Sequence, residues 1–323
     1  MVERPDTPVP EQKIEGPAFG VDGRDALVGG FAAAGGYFFW GLTVIFYKQL
    51  THVLPYEVLA HRTIWSVVLT LALILIFRRW HSFVAAVTNP RILLTLFATS
   101  LIIGSNWFVF IYSINEARVL ETSLGYYINP LISVLIGVIV LSEKLSKPQI
   151  AAVTLAVLGV GVMTFEIGTL PWISLFLAVT FALYGYLRKI SAVDPLEGLL
   201  IEVLILAPFA LAYLWYAEGE GGTAIMHGDM WTLFLLAMTG PMTTIPLFLF
   251  NFGAQRIRLA TLGLMQYLAP TVQLLIAVTM YGEILTETHL VTFGLIWTGL
   301  ALFSWDTWRK ERVLRRVVKA GPV

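Results

Sequence analysis

Ten apolar stretches of membrane-spanning length follow one another along this chain, with only short polar connections between them. They fall at 27–47, 58–77, 92–112, 119–141, 148–166, 171–187, 197–216, 231–253, 258–280 and 288–306. A bilayer core accommodates about 20 apolar residues per helix, so ten spans use most of the 323 residues. Charged residues make up only 13% of the chain, which is too few to coat a soluble globule. The sequence therefore predicts an all-α integral membrane protein of ten helices.

An internal repeat relates the two halves of the chain at a constant offset of 140 residues. The matching pairs are Pro55/Pro195, Glu57/Glu197, Tyr127/Tyr267, Pro130/Pro270, Glu143/Glu283, Leu145/Leu285 and Gly159/Gly299. Residues 27–166 and 167–306 then form two five-helix repeats. Because five is odd, the second repeat enters the membrane from the opposite side, which is the inverted-repeat plan of many secondary transporters.

The basic residues predict how the chain is oriented. With both termini cytoplasmic, 18 of the 21 Lys and Arg residues fall in inner segments, Lys48 and Arg118 fall in outer ones, and Arg62 lies inside a span. This bias follows the positive-inside rule. Residues 1–26 are predicted to be a disordered cytoplasmic tail. Residues 307–323 are predicted to be a basic cytoplasmic tail, which continues the last helix towards the anionic membrane surface.

Composition and missing motifs restrict the function classes. The formal net charge is zero, which gives no reason to expect a nucleic-acid partner. The chain has no cysteine, so it has neither disulfides nor thiolate metal sites. The sequence also lacks a P-loop, a His-Glu-x-x-His pair and a Gly-x-Ser-x-Gly elbow. We therefore expect no cofactor, no bound metal and no enzymatic activity.

Arg62 is the one basic residue predicted inside a span. A guanidinium in hydrocarbon costs about 2.5–3.5 kcal/mol, so Arg62 should face the bundle interior. It either contacts an anionic group or a proton site, or it snorkels outward or braces Glu57 or His61. Its repeat mate, Glu202, lies equally deep in the seventh span. The two residues act either as two gates or as members of unrelated structural ion pairs.

Polar stripes on the fourth and ninth spans are further candidates. One face of the ninth span carries Gln266, Pro270 and Gln273, the matching face of the fourth carries Tyr126, Pro130 and Ser133, and Tyr127 and Tyr267 lie one residue around. A polar stripe in lipid needs a partner or a wet cavity. The stripes therefore either line a cavity or only hydrogen-bond neighbouring helices. The two prolines are expected to kink their helices.

Asn106 and Asn251 add amide groups to the candidate cavity. Trp40, Trp65 and Trp107 could form aromatic walls for a solute, or they could be packing and membrane-belt residues.

Small residues on the fifth and tenth spans allow close approach of helices. They are Ala152, Ala156 and Gly159 on the fifth span and Gly294 and Gly299 on the tenth. They indicate packing within the chain in the first place, and a homodimer interface as the alternative.

Five stretches together resemble the EamA-type drug/metabolite transporter superfamily, and within it the RarD branch. They are HRTIWS at 61–66, NW at 106–107, ETSLGYYINPL at 121–131, EKL at 143–145 and QYLAPT at 266–271. The resemblance covers residues 30–306, and residues 1–26 are an addition to the family pattern. It implies a ten-helix bundle in the bacterial inner membrane. It also implies a central cavity lined by helices one to four and six to nine, with helices five and ten outside.

These observations favour a secondary transporter that moves a small metabolite or an amphipathic drug-like solute by alternating access. A coupling proton and contacts with membrane lipids are compatible with that function. The alternative is a non-transporting scaffold or a flippase-like lipid-handling protein, in which the polar stripes only hold helices together. Substrate, transport direction, coupling ion and oligomeric state are left open by the sequence.

Overall fold

The structure is a computed structural model that describes residues 23–115, 119–168, 172–219, 223–224, 228–282 and 286–320. Its helices are α1 (Gly23–Tyr47), α2 (Pro55–Ile76), α3 (Trp80–Thr88), α4 (Pro90–Asn115), α5 (Val119–Ile139), α6 (Lys147–Ile167), α7 (Trp172–Ile190), α8 (Pro195–Gly219), α9 (Met230–Ala254), α10 (Leu259–Met265), α11 (Leu268–Tyr281) and α12 (Glu287–Ala320), with a 3-10 turn at Lys48–Leu50. No strand occurs in these ranges. The all-α prediction is confirmed.

The helices match the ten predicted spans. Counting α10 and α11 as one segment, nine of the described helices are long and apolar enough to cross a membrane. The tenth is α5, in which Leu124–Ile139 forms a shorter apolar helix. The first span begins at Gly23, four residues before the predicted start. The predicted disordered tail otherwise falls on residues 1–22, outside the described residues, as do Arg118 and Glu283.

Contacts between loops define the two ends of the bundle. Near the chain ends, Arg256 pairs with Asp25 at 3.2 Å and the Ser146 hydroxyl donates to Asp306 at 2.6 Å. We name this end the terminal face. At the other end, which we name the opposite face, the Ala224 N–H donates to Glu57 at 2.7 Å. Successive spans therefore alternate in direction, and the described ends of the chain lie together.

The ninth span is broken between α10 and α11, as its proline predicted. Pro270 has no N–H to donate to the Gln266 carbonyl four residues earlier. The Ala269 N–H donates to that carbonyl at 3.2 Å in its place, which tightens the turn. Pro130 lies within the continuous helix α5, so only one of the two prolines interrupts its helix.

Glu143 fixes the start of the broken span. Its carboxylate accepts from the Leu259 N–H at 2.7 Å and from the Ala260 N–H at 2.9 Å. These amides are the first of α10 and have no acceptor within their own helix. A carboxylate is also favoured there by the helix dipole. One loop of the first repeat thus caps a helix of the second.

The small residues of α6 and α12 pack against each other within the chain. A β-carbon at Gly299 would lie 2.8 Å from the Ala152 carbonyl oxygen, and one at Gly159 would lie 3.0 Å from that of Thr292. Ala156 is 2% exposed. Nothing in the described chain lies within 4 Å of a β-carbon placed at Gly294. Four of the five small residues therefore serve packing between these two helices.

Helix α3 was not predicted from the sequence. Its Ala86 packs with Leu96 of α4 and Ile201 of α8. The helix is nine residues long, too short to span a bilayer. It lies on the terminal-face side of α2 and α4.

Candidate functional site

A cavity of 520 Å³ lies between the helices. Its lining residues come from seven spans and from the α1–α2 connection: Tyr37, Trp40, Thr43, Val44, Tyr47, Leu50, Thr51, Val53, Pro55, Val58, Leu59, Arg62, Asn106, Trp107, Phe110, Tyr126, Asn129, Phe181, Met242, Gln266, Ala269, Pro270 and Gln273. The volume is in the range of pockets that take small organic molecules.

The cavity occupies the half of the bundle next to the opposite face. Helix α1 runs from the terminal face to the opposite face, and its lining residues begin at Tyr37, in its second half. Helix α2 runs the other way and contributes four of its first eight residues, namely Pro55, Val58, Leu59 and Arg62. Thr51 and Val53 of the connecting loop also line the cavity. The cavity therefore reaches the opposite face.

Arg62 is in the cavity wall, as the sequence predicts for a charge that avoids lipid. Its guanidinium carbon lies 4.2 Å from the centroid of the Trp107 ring, a cation–π distance. Its Nε donates to the Thr243 hydroxyl at 3.1 Å. The ion pair next to it joins His61 to Glu57 at 3.7 Å. Arg62 is thus held by α4 and α9 and does not brace those two residues.

Aromatic rings form the deep wall. The ring centroids of Trp40 and Phe181 are 5.9 Å apart, and those of Tyr37 and Trp40 are also 5.9 Å apart. Tyr126 faces the cavity from α5 with 47% of its surface exposed, beside Phe110 of α4. A flat apolar body would find several ring faces and edges here.

The polar stripe of the ninth span both lines the cavity and bonds to its neighbour. Gln266, Pro270 and Gln273 all border the cavity. The Gln266 amide donates to the Ser133 hydroxyl at 3.4 Å, and the Ser133 hydroxyl donates to the side-chain amide oxygen of Asn129 at 3.3 Å. On the fourth span the lining residues are Tyr126 and Asn129. Ser133 is buried between the two helices and Pro130 is buried beside it.

Asn106 borders the cavity but uses its donors to hold two helices together. Its amide nitrogen donates to the Leu177 carbonyl at 3.0 Å and to the Thr180 hydroxyl at 2.8 Å. Both partners are on α7. Asn106 therefore fixes the position of α4, on which Trp107 follows directly.

Three predicted aromatic site residues lie outside the cavity. Tyr127 and Tyr267 belong to the core beside α6 and α12, where Tyr127 meets Phe293 with ring centroids 5.6 Å apart. The Tyr267 hydroxyl donates to the Tyr127 carbonyl at 3.0 Å. Trp65 is 37% exposed and is not among the described lining residues. Its backbone lies against Gly240, where an added β-carbon would lie 2.7 Å from the Trp65 carbonyl oxygen. One position along a helix turns a side chain by about 100°.

Glu202 and Asn251 also lie outside the cavity, in a buried polar cluster with Arg188. We name as the Glu202 cluster the residues Thr99, Tyr184, Arg188, Glu202 and Asn251. Glu202 accepts from the Thr99 hydroxyl at 2.6 Å and from the Tyr184 hydroxyl at 3.1 Å. Asn251 donates to the Tyr184 hydroxyl at 2.9 Å.

Arg188 is the charged partner in this cluster. Its Nε lies 3.6 Å from a Glu202 carboxylate oxygen, and its Nη2 donates to the Pro195 carbonyl at 3.2 Å. The side chain is fully buried, with 0% exposed. Arg188 was not predicted to be a site residue, because the apolar run of the sixth span ends at residue 187 and Arg188 was therefore counted with the following inner loop. Helix α7 in fact continues to Ile190.

The Glu202 cluster separates the cavity from the terminal face. Phe181 lines the cavity, and Tyr184 and Arg188 follow it on α7 towards that face, with Arg188 about 10 Å beyond Phe181 at 1.5 Å per residue. Phe250 stacks on Tyr184 with ring centroids 6.0 Å apart. Access is therefore open towards the opposite face and closed towards the terminal face.

The spans that line the cavity differ in one respect from the family expectation. Helices one to four, six, eight and nine contribute lining residues, and the fifth and tenth, α6 and α12, contribute none among the described residues. The seventh, α8, was expected to contribute but is also absent from the described lining. Its buried face carries Glu197 and Glu202, which pair with Arg79 and Arg188 instead.

Comparisons with known proteins agree with this architecture. The EamA-like transporter family matches residues 27–165, which is the first five-helix repeat. An uncharacterized transporter of Vibrio cholerae is 42% identical over 91% of this chain and 98% of its own length. Protein RarD of Escherichia coli K12 is 39% identical over 90% of this chain and 99% of its own length.

Two further matches have lower sequence identity. The chloramphenicol-sensitive protein RarD of Pseudomonas aeruginosa is 30% identical over 82% of this chain and 88% of its own length. A solved crystal structure superposes with a TM-score of 0.67 over 89% of this chain and 99% of that chain, at 17% identity, which shows a shared fold. The chain is a multi-pass bacterial membrane protein and belongs to the EamA-like transporter family, within its RarD branch.

Proposed function

We propose that this protein is a secondary transporter of a small organic solute in the bacterial inner membrane, and that it works by alternating access. The observation that carries the proposal is the one-sided cavity. A polar and aromatic cavity of 520 Å³ lies in one half of a bundle built from two sequence-related repeats. A scaffold has no need of such a space at the bundle centre.

The predicted inverted repeat suggests how the protein could reach a second conformation, open towards the terminal face. If the two repeats exchange conformations, the cavity closes towards the opposite face and opens towards the terminal face. In that exchange the Glu202 cluster, which now closes the terminal side, has to separate. Arg62 occupies the repeat-related position on the open side. Arg62 then acts as a binding group, and Glu202 acts as a gate.

The orientation is proposed from charge. Eighteen of the 21 basic residues belong to segments that the sequence predicts to be cytoplasmic. The described parts of those segments lie at the terminal face, so we place that face and both termini in the cytoplasm. The described state is then outward-open.

Cysteine labelling tests this orientation, because the chain has no natural cysteine. Thr51 and Ala192 are both exposed, one at each face. We expect a membrane-impermeant maleimide to label Thr51→Cys in intact cells and Ala192→Cys only after permeabilisation. Labelling of both variants after permeabilisation is the control for reactivity. The reverse pattern in intact cells would invert the proposed orientation.

Transport itself is tested in vesicles that contain the purified protein. We expect uptake or exchange of at least one solute from a panel of small metabolites and amphipathic drugs, above the rate in protein-free vesicles. Gln266→Ala is expected to lower that rate strongly, because the residue borders the cavity. It is expected to lower the melting temperature in detergent only slightly, because the side-chain hydrogen bond that Gln266 donates to Ser133 is long, at 3.4 Å. Comparison with and without an imposed pH gradient shows whether a proton is coupled.

Gln255→Ala is the matched control, since Gln255 donates to the Val193 carbonyl at the terminal face, 2.8 Å away, and lies outside the cavity. It should transport at the wild-type rate. Equal loss of transport and stability in Gln266→Ala would indicate that this residue only holds helices together. Absence of transport for every solute would refute the proposed function.

A further inference from the structure

The cavity wall carries one positive charge, and no described residue balances it. The described lining residues include Arg62 and no aspartate or glutamate, and the ion pairs found among the described residues do not include Arg62. A charge that is partly withdrawn from water inside a membrane is costly unless a counter-charge accompanies it. Among the described residues no such counter-charge is found, which points to the solute as its source.

The guanidinium is oriented and has donors to spare. Its central carbon lies over the Trp107 ring, 4.2 Å from the ring centroid, and among the described contacts only Nε donates a hydrogen bond, to Thr243. Arginine has five N–H donors, so the four on its terminal nitrogens have no partner among the described residues. Two of these donors can bind both oxygens of a carboxylate in a fork-like arrangement.

The remaining wall limits the rest of the solute. Its other polar groups are neutral hydroxyls and amides, and its deep part consists of the Tyr37, Trp40 and Phe181 rings. One cation matches one anionic group, so a dianion would bring an uncompensated charge into the cavity. The rings favour a flat apolar or aromatic body.

We infer that the cavity selects organic monoanions, in which a single carboxylate pairs with Arg62 and an aromatic or planar apolar body lies against the rings. This inference rests on the proposed transport function and specifies its substrate class. It assigns Thr243 as a positioning residue, because its hydroxyl holds the guanidinium and it is not among the described lining residues.

The test compares two probes of nearly equal shape, indole-3-propionate and indole-3-propionamide, in vesicles with protein-free vesicles as background. We expect the wild-type protein to prefer the carboxylate by roughly ten- to a hundredfold, the value of a hydrogen-bonded charge. Arg62→Gln should lower carboxylate transport by a similar factor and amide transport by much less, so that the preference is lost. Arg62→Lys should restore it only in part, since lysine lacks the planar fork.

Binding to detergent-solubilised protein, read as a rise in melting temperature with each probe, gives the same comparison without transport. If Arg62→Gln fails to fold, the preference of the wild-type protein between the two probes, compared with that of Arg62→Lys, still tests the inference. Equal handling of the two probes by the wild-type protein, or a preference that survives in Arg62→Gln, would overturn the inference. Transport of other solutes but of neither probe would also overturn it and leave the proposed function standing, whereas no transport of any solute would refute the proposed function itself.

Discussion

Glu202→Ala is expected to destabilise the protein by about 3–5 kcal/mol, the usual cost of leaving a buried charge without its partner. Arg188 is 0% exposed, and Glu202 is the carboxylate within ion-pair distance of it. Removing Glu202 also takes the acceptor from Thr99 and Tyr184. The measurement is the melting temperature in detergent, together with the yield of monodisperse protein.

A double variant separates the missing partner from simple loss of packing. Replacing both members of a buried pair by apolar residues of similar volume is often neutral for stability. We therefore expect Arg188→Met combined with Glu202→Leu to recover most of the stability that Glu202→Ala loses. A wild-type melting temperature for Glu202→Ala, or a double variant as unstable as the single one, would contradict the role assigned to this pair.

Much of the fold could be predicted from the sequence because the bilayer imposes a strict length rule. Each span needs about 20 apolar residues, so the ten runs were visible without any knowledge of packing. The repeat was visible because Pro, Glu and Tyr recur at one offset. Both observations depend on local composition. The predicted spans agree with the described helices to within a few residues at most ends, the exception being α12, which continues to Ala320.

Features that depend on packing were not visible in this way. Helix α3 is too short to register as a span, and it is positioned by the contact of Ala86 with Ile201. Glu143 was recognised as half of a repeat pair, but its bonds to Leu259 and Ala260 depend on two loops meeting at the terminal face. Hydropathy carries no information about such encounters.

For the site, the sequence identified residue types better than the directions of their side chains. Arg62 and Gln266 were found because polar groups in a span must face something other than lipid. Arg188 was missed because its helix extends past the apolar run. Arg188 could have been inferred from Glu202, because a carboxylate inside a span needs a cation at the same depth.

The direction in which a side chain points also distinguishes two adjacent tyrosines on α5, Tyr126 and Tyr127. Tyr126 borders the cavity and is 47% exposed, whereas Tyr127 is 5% exposed in the core against Phe293. At the sequence level both tyrosines were candidates for the cavity, with Tyr127 one residue around the helix from the polar stripe. Neighbouring residues on a helix point about 100° apart, so only one of the two can face the centre.

Tyr127→Ala is therefore expected to destabilise the protein by about 3–5 kcal/mol, the typical cost of truncating a large buried aromatic side chain. The substitution removes the ring contact with Phe293 and leaves an empty space between α5 and α12. Tyr126→Ala, its matched control, should melt close to the wild-type temperature and should instead lower the transport rate, because its ring forms part of the cavity wall. Melting temperature and initial transport rate are measured on the same preparations. Equal stability of the two variants, or a larger transport defect per folded molecule in Tyr127→Ala, would show that the assignment of these two side chains is wrong.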